Sequence, residues 1–136
     1  MTITANLSPL SASKAMYDHV SRGDWDRVAA FMADDFVIYE PSSLPYGGEW
    51  RGRDALQRLY AHVMAYWRDP AVEWMELVGG ERHAVALLHF TVTAPDSGNR
   101  FSQHIAEVTT FDDDGQMQSM RIHYFDTGEM ARKIAG

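Results

Sequence analysis

The stretch "HAVALLHFTVTAPDSGNRFSQHIAEVTTFDDDGQMQSMRIHY", His83 to Tyr124, decides the fold, because its apolar residues recur at every second position. Ala84, Ala86, Leu88, Phe90 and Val92 form the more apolar of two alternating sets, which is the period of a half-buried strand. "PDSGNR" and "DDDG" interrupt the pattern with turn formers, and the second is a tight-hairpin signal. Working outward, "AVEWMELV" (Ala71–Val78) and "GGER" add one strand upstream, so four strands form an antiparallel meander closed by a short C-terminal helix.

The first half has helical period instead. Ser8 before Pro9 reads as an N-cap, with Ala12, Ala15, Met16, His19 and Val20 at helical spacing until Gly23. Asp24 caps a second helix carrying Trp25, Val28, Ala29 and Met32, closed by Asp34 and Asp35. "FVIYE" (Phe36–Glu40) is a short strand stopped by Pro41, and "PSSLPYGGEWRG" is a loop. A third helix carries Leu56, Leu59, Tyr60, Val63, Met64 and Trp67 as one apolar stripe, ending at Asp69-Pro70. The expected fold class is therefore α+β: a cone-shaped roll, its curved antiparallel sheet wrapped around three helices of the N-terminal half. The open end of such a cone is a natural pocket.

A length of 136 residues suits one domain, expected over residues 8–136 with a flexible stretch at 1–7. A net charge of -7 without a Lys/Arg cluster argues against nucleic acid, and no segment reads as a membrane span or leader, so a cytoplasmic protein is expected. With no cysteine, thiolate chemistry and thiolate metal sites are excluded.

The motifs "SRGDWDRVAAFMADDFVIYEP", "WRGRDALQRLYAHV" and "DDDGQMQSMRIHYFD" carry a resemblance that covers most of the chain. In order and spacing they resemble the Gly-Asp, Ala-Asp-Asp, acid-Pro and Gly-Arg-acid signposts, then the final hairpin, of the nuclear transport factor two-like superfamily. The chain is most similar to its SnoaL-like polyketide cyclase and ketosteroid isomerase branches. By that resemblance Glu40 takes the place of the proton-shuttling acid before the proline, and Glu107 that of the protonated acid that stabilises an oxyanion. The oxyanion tyrosine of the first helix corresponds to Met16, with Tyr17 one position away, an offset of about 100° at about 3.6 residues per turn. Tyr17 is thus expected to miss the pocket, while Met16 holds the oxyanion tyrosine's place.

Strand parity agrees on Glu107. It shares a face with Phe101, Gln103, Ile105, Thr109 and Phe111, and the last strand turns Met120, Ile122 and Tyr124 inward. Two carboxyls in an apolar cone are expected to have raised and unequal pKa values, and the resemblance to ketosteroid isomerases, whose pattern this is, implies one acid as base and the other as a neutral hydrogen-bond donor to an enolate oxygen. Glu40 and Glu107 are the candidate catalytic residues; Met16, Tyr17, Tyr39, Tyr46, Trp50, Tyr60, Phe90, Met120 and Tyr124 are candidate substrate-binding residues. The bland alternatives are a Glu40 ion pair with Arg51 or Arg53, and a structural Glu107 bonded to Tyr39, Tyr124 or a histidine.

His89, His104 and His123 have the opposite parity, which puts them on the outer face as packing at a homodimer interface rather than as metal ligands. The resemblance to polyketide cyclases, which use a His and an Asp in the pocket, implies that with that parity misread His104 or His123 with Asp126 would carry the chemistry instead. "LPYGGEW" (Leu44–Trp50) is either a lid hinged at Gly47 and Gly48 or an ordinary loop packed on the body. No metal and no cofactor is expected. The expected ligand is a small apolar molecule, with a carbonyl compound the candidate for cofactor-free proton transfer, isomerisation or cyclisation; the alternative is a non-catalytic binding or dimeric scaffold module.

Overall fold

Ten elements follow one another in the computed structural model, which describes residues 7–135. They are α1 (Pro9–Ser21), α2 (Trp25–Ala29), β1 (Met32–Glu40), β2 (Gly48–Arg51), α3 (Ala55–Tyr66), β3 (Arg68–Gly79), β4 (His83–Thr93), β5 (Arg100–Phe111), β6 (Met117–Tyr124) and α4 (Thr127–Ala135). The stretch expected to be flexible lies, apart from Leu7, outside the described residues.

One six-stranded sheet has the order β2-β1-β6-β5-β4-β3. Every neighbouring pair is antiparallel except β1 with β6, which run parallel. This is the α+β roll anticipated above, a curved and mostly antiparallel sheet with its helices against one face. The meander arises from the alternation already noted. Ala84, Ala86, Leu88, Phe90 and Val92 are all buried, as are Gln103, Ile105, Thr109 and Phe111 across from them on β5. The register Ala86↔Glu107 and Glu107↔Ile122 sets Glu107 in the middle of three strands.

In α1, Ser8 accepts a hydrogen bond from the Ser11 amide at 3.1 Å, satisfying a free helix-end donor. Gly23 ends the turn with φ of 68°, a conformation that costs glycine little. Three expectations need correction. Asp24 makes no side-chain cap and instead pairs with Arg27 at 3.4 Å. The second helix stops at Ala29, because Met32 is taken into the sheet opposite Met117, and strand pairing overrides its helical spacing. The loop before α3 contains β2, an edge strand whose Trp50 pairs with Ile38.

Candidate functional site

The helices α1 and α3 and the inner face of the sheet enclose a cavity of about 90 Å³. Its walls are almost wholly apolar, supplied by Leu56, Leu59 and Val63 of α3 and by Leu88, Ile105 and Ile122 of the sheet. Among the described lining residues there is no Lys, Arg or His; the polar groups are Glu40, Glu107 and the hydroxyls of Tyr17, Tyr60 and Tyr124. Toward solvent the rim is formed by Tyr60, Val72 and Trp74, which are 42%, 36% and 49% exposed.

The sheet register brings the two carboxyls together. Tyr39 pairs with Arg121, so Glu40 lies one residue further along, level with Ile122, and Ile122 pairs with Glu107. Glu40, Ile122 and Glu107 thus form a row across three strands, with about 10 Å between the outer Cα atoms at ~4.8 Å per strand. All three residues line the cavity.

Tyr17 completes the arrangement from α1. Its hydroxyl donates to Oε1 of Glu107 at 2.7 Å, and its ring lies 4.8 Å from that of Trp74. Burial lifts the Glu107 carboxyl above its ordinary value, and the Tyr17 bond works against that rise. Glu40 is pushed up to about 8, by burial first and then by the Glu107 charge, with the Tyr124 hydroxyl partly offsetting both. Its Oε1 is buried and has no hydrogen-bond partner. Burial also raises Tyr17 and Tyr124 well above the usual phenol value, so both hydroxyls keep their protons.

Six of the residues singled out from sequence, namely Tyr17, Glu40, Tyr60, Phe90, Glu107 and Tyr124, line the cavity. The other five do not. Met16 is fully buried in the core, so the expectation for the first helix is reversed: its direction leads into the packing, and the next residue reaches the cavity. Tyr39 alternates with Glu40 on β1 and lies against the Arg121 guanidinium, 4.5 Å from its ring centroid. Tyr46 is buried behind the wall, where its hydroxyl meets that of Tyr124 at 3.2 Å and accepts from Trp67 Nε1 at 3.1 Å. Trp50 donates its indole N–H to the Tyr46 carbonyl at 2.9 Å. Met120 is fully buried opposite Ile38 and Thr109, beneath the cavity floor. The "LPYGGEW" stretch is therefore packed on the body, which removes the lid reading.

The ion pairs suggested for Glu40 are used elsewhere: Arg51 bonds Glu49 at 2.7 Å, and Arg53 reaches Asp34 at 3.4 Å. Asp126 is spent on α4, accepting from the Glu129 amide at 3.0 Å, while His104 and His123 are on the outer face beside Phe125. His89 and His104 are directly paired there, ring centroids 4.8 Å apart. Sequence reasoning missed Trp74. Its alternation with Val72 was available as a signal, but a bulge between Trp74 and Glu76 breaks the parity of β3.

Residues 13–120 match the family model of the SnoaL-like domain. Among curated proteins none matches this chain. Solved structures share the fold. An NTF2-like protein of unknown function from Burkholderia pseudomallei has a TM-score of 0.74 at 26% identity, over 92% of this chain and 95% of its own. A Mycobacterium tuberculosis protein in complex with estradiol-17β-hemisuccinate has a TM-score of 0.61 at 21% identity, over 86% and 94%. The Δ5-3-ketosteroid isomerase of Mycobacterium sp. has a TM-score of 0.60 at 24% identity, over 90% and 96%. The chain belongs to the SnoaL-like family of the nuclear transport factor 2-like superfamily, the group its sequence resembles.

Proposed function

We propose that this protein takes a small apolar carbonyl compound into the cavity and moves a proton on it without a cofactor. The observation that carries this reading is the pairing of Glu40 and Glu107 in one apolar cavity, with a buried Glu40 oxygen left free of any partner. One carboxyl, ionised, takes a proton from the carbon beside the carbonyl, and the C–H electron pair passes into the carbonyl to form an enolate. The other carboxyl, neutral, donates a hydrogen bond to the enolate oxygen. Return of the proton to a conjugated carbon isomerises the compound; attack of the enolate carbon on a second carbonyl closes a ring. The estradiol derivative held by one structural neighbour and the isomerase activity of another support an apolar, carbonyl-bearing ligand class. A compound larger than the cavity extends past Tyr60, Val72 and Trp74, which offer an apolar rim.

The test is a panel of apolar ketones and quinones screened by native mass spectrometry, followed by deuterium exchange at the α-carbon of each bound compound. Exchange should fall by at least ~10²-fold in both Glu40→Leu and Glu107→Leu, which remove donor and base alike, the usual contribution of a positioned acid, base or oxyanion donor. Unchanged exchange in either variant removes that residue from the chemistry. A binding module without catalysis is the second reading, favoured by the Tyr17 hydroxyl, which is already committed to Glu107 rather than to a ligand. It predicts retained binding and no exchange even in the unmodified protein.

The same reading includes a homodimer formed through the outer face of the sheet. Met75, Leu87 and Phe125 are 55%, 37% and 84% exposed there, beside His104 and His123. Sedimentation velocity should show a dimer that Leu87→Asp converts to monomer; a monomeric unmodified protein would refute the assembly.

A further inference from the structure

Resting on the proton-transfer function proposed above, we infer that the two acids have exchanged the roles their positions imply: Glu107 is the charged base and Glu40 the neutral hydrogen-bond donor, with Tyr17 as the residue that positions this charge. The hydrogen bonding separates the two acids. Glu107 receives an O–H donor at 2.7 Å, and a bond of that kind favours the ionised carboxylate over the neutral acid. Glu40 is only 8% exposed and its Oε1 has no partner, an arrangement that is costly for a carboxylate and much cheaper for a neutral carboxyl. No cation lines the cavity among the described residues; the groups facing the acids are the phenols of Tyr17 from α1, Tyr60 from α3 and Tyr124 from β6. One negative charge is therefore the most the pair holds near neutral pH. Tyr124 also turns its hydroxyl toward Glu40, but that hydroxyl is shared with Tyr46 at 3.2 Å, whereas Tyr17 bonds Glu107 at 2.7 Å, so the charge resides on Glu107. Burial raises both carboxyls; the charge of Glu107 adds to the rise of Glu40, while the Tyr17 bond works against the rise of Glu107.

The ligand orientation follows. The acidic carbon is presented to Glu107, beside the packed rings of Tyr17 and Trp74, and the carbonyl oxygen points toward Glu40 at the β1 end of the row. In the step itself Glu107 takes the carbon-bound proton and becomes neutral. The electron pair moves to oxygen, and the Glu40 O–H remains with Glu40 while bonding the enolate.

The test reads both carboxyls without any ligand. With glutamate labelled with 13C at Cδ, and signals assigned through Glu40→Gln and Glu107→Gln, carbon shifts are followed from pH 5 to pH 9. At pH 7 Glu107 is expected at the carboxylate position and Glu40 at the carboxyl position, crossing near pH 8. Tyr17→Phe should raise the Glu107 midpoint and lower that of Glu40, since Glu107 then carries its charge over a smaller part of the range in which Glu40 titrates. A merely structural Tyr17 leaves both midpoints in place. The Tyr17→Phe titration also serves if a Gln variant does not fold. A proton on Glu107 at pH 7 overturns the assignment, even if isotope exchange shows the proton-transfer function to be real. A charged Glu107 with no exchange on any bound compound overturns its role as base together with that function.

Discussion

The hydroxyl of Tyr17 on α1 bonds Oε1 of Glu107 on β5 at 2.7 Å, tying the first helix to the middle of the sheet across ninety positions of sequence. The contact is polar in an otherwise apolar wall, and it sets the charge at the site while fastening α1 over β3 and β4.

Removing that hydroxyl leaves a buried carboxyl without its donor. Tyr17→Phe should therefore lose about 1–3 kcal/mol of stability at pH 7, seen as a lower urea midpoint with an unchanged slope. The ring contact with Trp74 persists, so tryptophan fluorescence should change little. An unaltered midpoint would mean that water replaces the phenol fully.

Behind the wall, Tyr46 is the acceptor for the indole N–H of Trp67, which is 2% exposed. Tyr46→Phe orphans that donor and also takes a partner from Tyr124. A cost of about 1–3 kcal/mol is expected in thermal or urea unfolding. Because Tyr46 does not line the cavity, compounds found to bind should keep their affinity to within a few-fold. A large loss of binding with no loss of stability would put Tyr46 in the cavity after all.

The inner faces of β4, β5 and β6 were legible because alternation over eight or more residues leaves a single way to bury Leu88, Ile105 and Ile122. Glu107 was singled out by the family resemblance, and the parity of β5 agreed with it. Tyr17 had no such check, since one position on a helix is about 100° and the choice between Met16 and Tyr17 depends on how α1 is rolled against the sheet. On β3 both alternating sets contain apolar residues, and the bulge after Trp74 exchanges the faces, so the rim of the cavity was not readable locally. β2 was unreadable for a different reason. Gly48 and Glu49 have little strand preference, and only pairing with β1 makes the segment extended.

Gly47 belongs to that same segment and leaves no space for a side chain. A Cβ there would stand 2.2 Å from the carbonyl oxygen of Pro41, a backbone atom next to Glu40. Gly47→Ala should destabilise by about 1–3 kcal/mol or more, because the main chain must move rather than a side-chain tip. The displacement reaches the residue after Glu40, so the variant should also change the pH at which Glu40 titrates. A stable protein with an unchanged Glu40 midpoint would show that the loop yields without pulling on β1.

Stability should depend on pH with a sign opposite to that of a salt-bridged acid. Burial and the Glu107 charge raise Glu40 from 4.5 to about 8 in the folded protein, so between these values the native state holds a proton that the unfolded chain has lost. The contribution is fully present below the unfolded value and disappears as pH rises through about 8. Over that window the loss is on the order of 5 kcal/mol, at about 1.4 kcal/mol per pH unit. Glu107 is raised as well and acts in the same direction. Urea midpoints measured from pH 5 to pH 9 should therefore fall steadily. In Glu40→Gln, whose amide never ionises, the fall should be shallower, and above pH 8 the variant should be the more stable protein. Midpoints that stay level or climb across this range would mean that Glu40 is charged in the native state, and the cavity would then have to hold two carboxylates at once.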